Sequence, residues 1–262
     1  MTGSHGPGGD PNRGAVRDEF RRTAEGFAAR TQGRFAHHGV VEFARPKPGW
    51  TVAEIGAGTG NFLALFTGVA GRLVAVDLTP EMLTVARDRY EGLELVAADG
   101  SALPFRSGSI DLVASAQALH HIARPVEVLR EMRRVVRAEG RVLVVDQTAT
   151  EKFEEAVAMD ELERLRDPSH AASRPPSAFR TIVRAAGLEV VDERLVEVEN
   201  RLSEWMWPGE FPVERIDAVR AFIAARGAQT GMGFRPDGDD FVFTRRRILL
   251  LARRAPDGPS PG

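Results

Sequence analysis

Cysteine is absent from the 262 residues. Disulfides, thiolate metal sites and cysteine nucleophiles are therefore excluded, and the composition fits a reducing compartment such as the cytoplasm. Long apolar runs are absent as well. No segment reaches the ~18 to 20 residues needed to span a bilayer, and the N-terminus has no apolar stretch of the secretory type, so a soluble protein is expected. Net charge is also lacking: 35 basic against 37 acidic residues leave −2. No long-range field gathers polyanions, and nucleic acid is not expected as a partner. Lysine is nearly absent, Lys47 and Lys152 being the only two. The abundance of arginine reads as a trait of a GC-rich coding sequence rather than as a binding device.

What is present divides the chain clearly. Residues 1–14 and 255–262 are rich in Gly, Pro and small polar residues, bury too little apolar area to offset the entropy of ordering, and read as disordered tails. Phe20, Ala24, Phe27, Ala28, Phe35, Val40, Val41 and Phe43 recur at roughly helical spacing and predict a helical cap over 15–45. Strand and helix then alternate: TVAEI, NFLALF, LVAVD, PEMLTVARDRY, LELVAAD, IDLVASA, PVEVLREMRRVV, RVLVVDQ. That order predicts right-handed crossovers and a parallel sheet in an α/β fold. Thr79 and Pro80 form one helix start and Pro125 another. One domain over 15–254 is expected, with a core at 50–147, a lid region with strand six at 151–233 and a final strand at 241–254.

The stretch VAEIGAGTGNF places Gly56, Gly58 and Gly60 between a strand and a helix-like segment. A dinucleotide loop wants G-x-G-x-x-G, and here the third glycine comes one residue early. A P-loop wants Gly-Lys-Ser/Thr, and the sequence reads Gly60, Asn61, Phe62. Acids stand nearby instead: Glu54 before the loop, with Asp77 and Asp99 at the ends of the next two strands. Such a site suits hydroxyls and a cation rather than phosphates. Asp77 can accept from both hydroxyls of a ribose, and Asp99 from an exocyclic amine. A solvated strand end or a helix cap is the other reading of each acid taken alone.

The segments EIGAGTG, AVDLTPEML, AADGSALPF and IDLVASAQALHHIARPVEVLREMRRVVRAEGRVLVVD resemble the class I S-adenosylmethionine-dependent methyltransferases, and within them the menaquinone and ubiquinone methyltransferase-like (type 11) group. The resemblance runs from about Phe20 to Arg254. It implies a Rossmann-like, seven-stranded, mostly parallel sheet with helices on both faces, an N-terminal helical cap and a late lid insertion. It also implies S-adenosylmethionine as cofactor, S-adenosylhomocysteine as product, and no metal. By position, Gly56, Ala57, Gly58 and Gly60 would pack under the methionine and ribose, Glu54 would orient the amino group and Asp77 would hold the ribose. Asp99 and Gly100 would flank the adenine, Leu78 and Met82 would pack on its rings, and Ala116 and Gln117 would face the methionine. Glu54 and the turn Ala138 to Gly140 depart from the group's usual Asp and Pro-Gly-Gly.

Methyl transfer from a sulfonium needs an aligned nucleophile and, for some acceptors, a base. His37, His38, His120, His121 and His170 are the candidates. His121, just after the fourth strand, and His170, in RDPSHAASR, are the two expected to be catalytic, with packing or turn formation as their other reading. Phe27, His38, Arg174 and Trp205 are expected to face the acceptor; packing against a sheet edge is the alternative for Trp205. A small organic acceptor methylated at carbon or oxygen is expected, of quinone, prenyl or other natural-product type, on a monomer or homodimer. The alternatives are a fold relative that uses the cofactor's charge for a cyclisation and, further off, an NAD-dependent oxidoreductase or a non-enzymatic binding module.

Overall fold

The alternating segments assemble into one mixed sheet in the computed structural model, which describes residues 10–31, 33–35, 38–206 and 211–256. Its strands are β1 (Thr51–Ile55), β2 (Arg72–Asp77), β3 (Leu93–Ala97), β4 (Ile110–Ala116), β5 (Val136–Thr148), β6 (Leu188–Arg201), β7 (Arg235–Asp237) and β8 (Asp240–Arg254). The spatial order is β3-β2-β1-β4-β5-β8-β6, with β7 paired to β8. Neighbours from β3 to β5 are parallel, and β8 runs antiparallel between β5 and β6. The seven expected strands are all there, and β7 adds only a short return against β8.

Side chains alternate between two cores, as a sheet covered on both faces requires. Ile55, Val74, Val76, Val113 and Val144 pack under helices α4 (Pro125–Val135) and α6 (Pro176–Ala185) through Leu129, Met132, Phe179 and Val183. Val52, Leu73, Ala75, Leu112 and Val145 pack on the other face with Phe43, Phe62, Leu63 and Phe66. Pro125 opens α4 at its first turn, where its missing N–H costs nothing. α3 (Pro80–Arg89) starts in the same way, but the Thr79 hydroxyl makes no cap bond; Asp77 accepts the Thr79 N–H instead. The helix expected from NFLALF is a single 3-10 turn, Leu63–Phe66.

The cap consists of α1 (Arg13–Thr31) and α2 (Val40–Ala44). It starts earlier than composition suggests. The Asp10 carboxylate accepts the Arg124 N–H (2.7 Å), and Asn12 Nδ2 donates to the carbonyls of His121 (2.7 Å) and Ser169 (2.6 Å). The expected disordered tail therefore overreached at 10–14, because composition carries no information about two specific side-chain latches. At the other end, Ala255 N–H donates to Gly187 O (3.0 Å), and 257–262 lie outside the described residues, as do 1–9.

A third core forms where β6 and β8 run past β5. Here α5 (Phe153–Arg166), α7 (Leu202–Trp205) and α8 (Val213–Arg226) pack around Leu162, Val219, Ile223, Met232 and Phe243. The segment 151–233, expected as a lid region with strand six, divides in two. α6 and the first part of β6 belong to the main sheet, and the remainder forms the late module. No helix among the described residues is long and apolar enough to cross a membrane.

Candidate active site

β1 and β4 lie side by side where the strand order reverses, and the crevice beyond their carboxyl ends is where open α/β sheets bind ligands. The loop after β1 turns at Gly56, with φ 74°, where a Cβ would lie 2.6 Å from Ala118 Cβ. Only glycine lets the two loops approach this closely. Gly58 N–H donates to Asp77 Oδ2 (2.7 Å), and Thr79 N–H donates to Asp77 Oδ1 (2.8 Å). Asp77 thus fastens the loop after β1 to the end of β2, with a lone pair left on each oxygen.

Glu54 is 1% exposed. Its Oε2 accepts Leu63 N–H (3.1 Å), and Oε1 meets no protein donor among the described residues. Burial, then the neighbouring Asp77, holds its carboxyl well above the usual range. Burial also raises Asp77, against the backbone N–H groups of Thr79 and Gly58. Asp99 takes Ser101 N–H (2.9 Å) and pairs with Arg13 of α1 at 2.9 Å. Every residue expected at the cofactor lines this one cleft, including Ala57, Leu78, Met82, Gly100, Ala116 and Gln117, with the exception of Gly60. A Cβ at Gly60 would meet Leu93, Tyr90 and Ala86. That glycine packs closely on Ala86 of α3 and on Tyr90 and Leu93 beyond it.

A second cavity, about 470 Å³, opens beside the cleft under α1 and the late module. Phe20, Arg34, Gln117 and His121 line both spaces and form the junction. Gln117 stands at φ 52°, an uncommon value for a residue with a side chain, and its buried Nε2 has no acceptor. His121 Nδ1 lies 3.1 Å from Ser169 O, which can only accept, so Nδ1 carries the proton and Nε2 the lone pair. His120 is held in the same tautomer: its Nδ1 is 2.6 Å from Asp146 Oδ1, and its backbone N–H donates to Asp146 Oδ2 (3.1 Å). Burial lowers the basicity of both imidazoles, helped at His120 by the neighbouring His121 and His170. Burial pushes Asp146 up to about 6, against the N–H of Gln147.

Not all expected residues reach this junction. His170 Nε2 bonds Asp160 Oδ1 at 2.9 Å, its side chain is 1% exposed and it lines neither space. It fixes the turn after α5. Arg174 donates to the carbonyls of Leu119 (2.7 Å) and Ile122 (2.8 Å), so it braces the turn bearing both histidines instead of facing an acceptor. His38 is buried with Nε2 against Arg247 Nη1 (2.7 Å), also away from both spaces. Trp205 lines the second cavity while packing on Phe243 with centroids 5.1 Å apart. The side chain of Phe27, and all of His37 and Trp207, lie outside the described residues. Sequence reasoning missed Asp146, Arg245 and Arg247. Each interrupts an apolar strand, and that was the available signal.

Residues 53–144 match the methyltransferase domain model. The uncharacterized methyltransferase YcgJ of Bacillus subtilis (strain 168) is 31% identical over 181 residues, covering 67% of this chain and 72% of that relative. Its crystal structure superposes with a TM-score of 0.76 at 24% identity over 84% of this chain and 100% of the other. The chain is also 35% identical over 116 residues to UbiE of Hahella chejuensis, a ubiquinone/menaquinone biosynthesis C-methyltransferase, covering 41% of this chain and 47% of the relative. It thus spans about half the length of that quinone enzyme. The [4+2]-cyclase SpnF shares the fold alone, with a TM-score of 0.64 at 15% identity over 95% of this chain and 98% of that one. The chain belongs to the class I S-adenosylmethionine-dependent methyltransferases, in the type 11 group. S-adenosylmethionine is its cofactor, and the cleft fits it. The buried Glu54 and the half-buried Asp77 have no cationic partner among the described residues, and a glycine loop stands where a side chain would block the approach.

Proposed function

We propose that the protein methylates a small organic acceptor, at carbon or oxygen, bound in the second cavity, with His121 as general base. The observation that carries this reading is the junction: His121 and Gln117 line the cofactor cleft and the second cavity at once. Glu54 and Asp77 would hold the cofactor's amino group and ribose, and Asp99 its adenine. When bound, S-adenosylmethionine supplies a methyl group already activated on sulfur. The chain's own residues do the rest. The Ser169 carbonyl keeps His121 Nδ1 protonated, so Nε2 is free to take the acceptor's proton as the acceptor's nucleophilic atom gains the methyl group. The orphan Gln117 amide donates to a polar atom of the acceptor and orients it. α1 lies over the cleft through Val16 and Phe20 and keeps water from the reacting atoms. His120, on its Asp146 anchor, lines only the second cavity and sets its polarity. The absence of cysteine and the near-neutral charge agree with a cytoplasmic, small-molecule role.

The test is transfer of labelled methyl from S-adenosylmethionine to a cell extract separated into small molecules, RNA and protein. Label is expected in the small-molecule fraction and lost in His121→Gln, with S-adenosylhomocysteine binding retained. Label confined to RNA or protein refutes the acceptor class. An extract component converted with the cofactor left intact points to the cyclase-type reaction.

A further inference from the structure

The second cavity has a basic wall with no counter-charge on one of its members. Arg245 and Arg247 lie on the β8 face that continues into the buried Leu249 and Leu251, and their exposures are 6% and 4%. Arg245 has Gln147 Oε1 as a hydrogen-bond acceptor and Glu163 at 3.5 Å. Arg247 has neither a side-chain oxygen acceptor nor an ion-pair partner among the described residues, and the Asp146 charge acts on it only from a distance. Its Nη1 donates to Arg34 O (3.1 Å) and faces His38 Nε2 (2.7 Å), and no carboxylate among the described residues comes within ion-pair distance. Its Nε is buried with no acceptor among the described residues, as is that of Arg245, and Nη2 makes no hydrogen bond to a described residue.

A buried guanidinium without an anion costs several kcal/mol in desolvation, so proteins bury such groups paired or aimed at a ligand. Of the acids that line the cavity, Glu19 is engaged by Arg22, Glu199 by Arg235 and Asp167 by Ser169, while Glu204 is exposed to solvent and pairs with neither arginine; Asp146, outside the lining, is engaged by His120. The rings of Phe20, Trp205 and Phe211 line the same cavity, with the Arg245 guanidinium 5.7 Å from the Trp205 ring centroid. Resting on the proposed methyl transfer to an acceptor in this cavity, we infer that the acceptor is a carboxylic acid with an apolar or aromatic body, its carboxylate held by the free Nε and Nη2 of Arg247 with Arg245 beside it. That edge of a guanidinium matches the two oxygens of a carboxylate, which a lysine would not do. Its face rests near Phe35, 5.8 Å from the ring centroid, which fixes the plane of the fork.

The probes are benzoate and its neutral isostere benzamide, titrated into the full-length protein saturated with S-adenosylhomocysteine and followed by calorimetry and thermal shift. Benzoate is expected to bind at least about tenfold more tightly than benzamide. Arg247→Met is expected to abolish the difference and Arg247→Lys to restore part of it, with S-adenosylhomocysteine affinity unchanged because Arg247 does not line the cofactor cleft. Equal binding of the two probes, or no benzoate binding, by wild-type protein that does bind S-adenosylhomocysteine overturns the carboxylate site and leaves the methyltransferase reading standing. Failure to bind S-adenosylhomocysteine, with benzoate still preferred, removes the methyl-transfer reading and leaves the anion site. The wild-type comparison decides the matter even where a variant fails to fold.

Discussion

Replacing Glu54 by Gln separates what this acid costs the fold from what it gives the site. The carboxyl is 1% exposed, accepts one backbone N–H and is raised well above its ordinary 4.5 by burial and by Asp77. A group with a folded pKa above its unfolded value contributes stability that is complete below the unfolded value and is lost as pH rises through the folded one. The ligand-free variant should therefore match the wild type near pH 4.5 and gain on it at higher pH, by ~1.4 kcal/mol for each unit by which the carboxyl is raised. For a chain of this size each kcal/mol corresponds to about 2–4 °C in Tm. The amide oxygen still accepts Leu63 N–H, so the loop keeps its anchor. The ligand's ammonium loses an ionic partner worth about 1.5–3 kcal/mol, which is roughly a 10- to 150-fold weaker Kd for S-adenosylhomocysteine. Melting curves from pH 4.5 to 8 and calorimetry at pH 8 read both effects. A variant that melts below the wild type at pH 8, or binds the ligand equally well, refutes the assignment of Glu54 to the cofactor's amino group.

Asp77→Ala should weaken S-adenosylhomocysteine by about 1–3 kcal/mol, since it removes the proposed ribose acceptor and frees the N–H groups of Gly58 and Thr79; an unchanged Kd in calorimetry removes Asp77 from the site. Gly56→Ala should abolish binding while the sheet still folds, because its Cβ would fall 2.6 Å from Ala118 Cβ at a positive φ; retained affinity refutes the close approach of the two loops. His170→Ala should cost about 1–3 kcal/mol of stability for the carboxylate stranded at Asp160, seen as a lower Tm, and leave ligand affinity intact; a loss of methyl transfer at unchanged Tm would return His170 to the chemistry. Asp146, raised from 3.8 to about 6 by burial, contributes stability that fades across that window as pH rises. Asp146→Asn should therefore gain on the wild type by up to about 3 kcal/mol between pH 4 and pH 7, and denaturant titrations showing parallel pH profiles would refute it.

The cofactor side was legible because its chemistry is written in backbone. Glycine at 56 and acids at strand ends are local signals, and the folded sheet only has to bring β1, β2 and β3 into register. The acceptor side was not legible, because it is made by elements far apart in sequence. Arg245 and Arg247 were read with the other arginines as a trait of composition; their neighbour Arg246 lies on the opposite face and pairs with Glu197 at 3.0 Å. A period of two within an otherwise buried strand was the signal, and composition had masked it. The histidines show the same limit. Nothing local distinguishes His170 from His121, and only the folded chain sets one against Asp160 and the other at the junction.

The two spaces differ in the sign of their buried charge, and that difference bears on turnover. Glu54, Asp77 and Asp99 surround the cofactor cleft, and burial or neighbouring acid leaves the first two eager for a cation. Arg245 and Arg247 stand on the acceptor side, where burial lowers both and takes Arg247 down to about 9, still charged near neutral pH. Between them lie His121 and Gln117, neutral groups whose protons are fixed by Ser169 or left without an acceptor. Methyl transfer removes one positive charge from the cofactor, so the acidic cleft holds the substrate form more strongly than the product form. The neutral junction allows that change without stranding a fixed charge between the reactants. A measured preference of this cleft for S-adenosylmethionine over S-adenosylhomocysteine that shrinks in Glu54→Gln and Asp77→Asn would tie the preference to these acids, and a preference unchanged by either substitution would place its origin elsewhere.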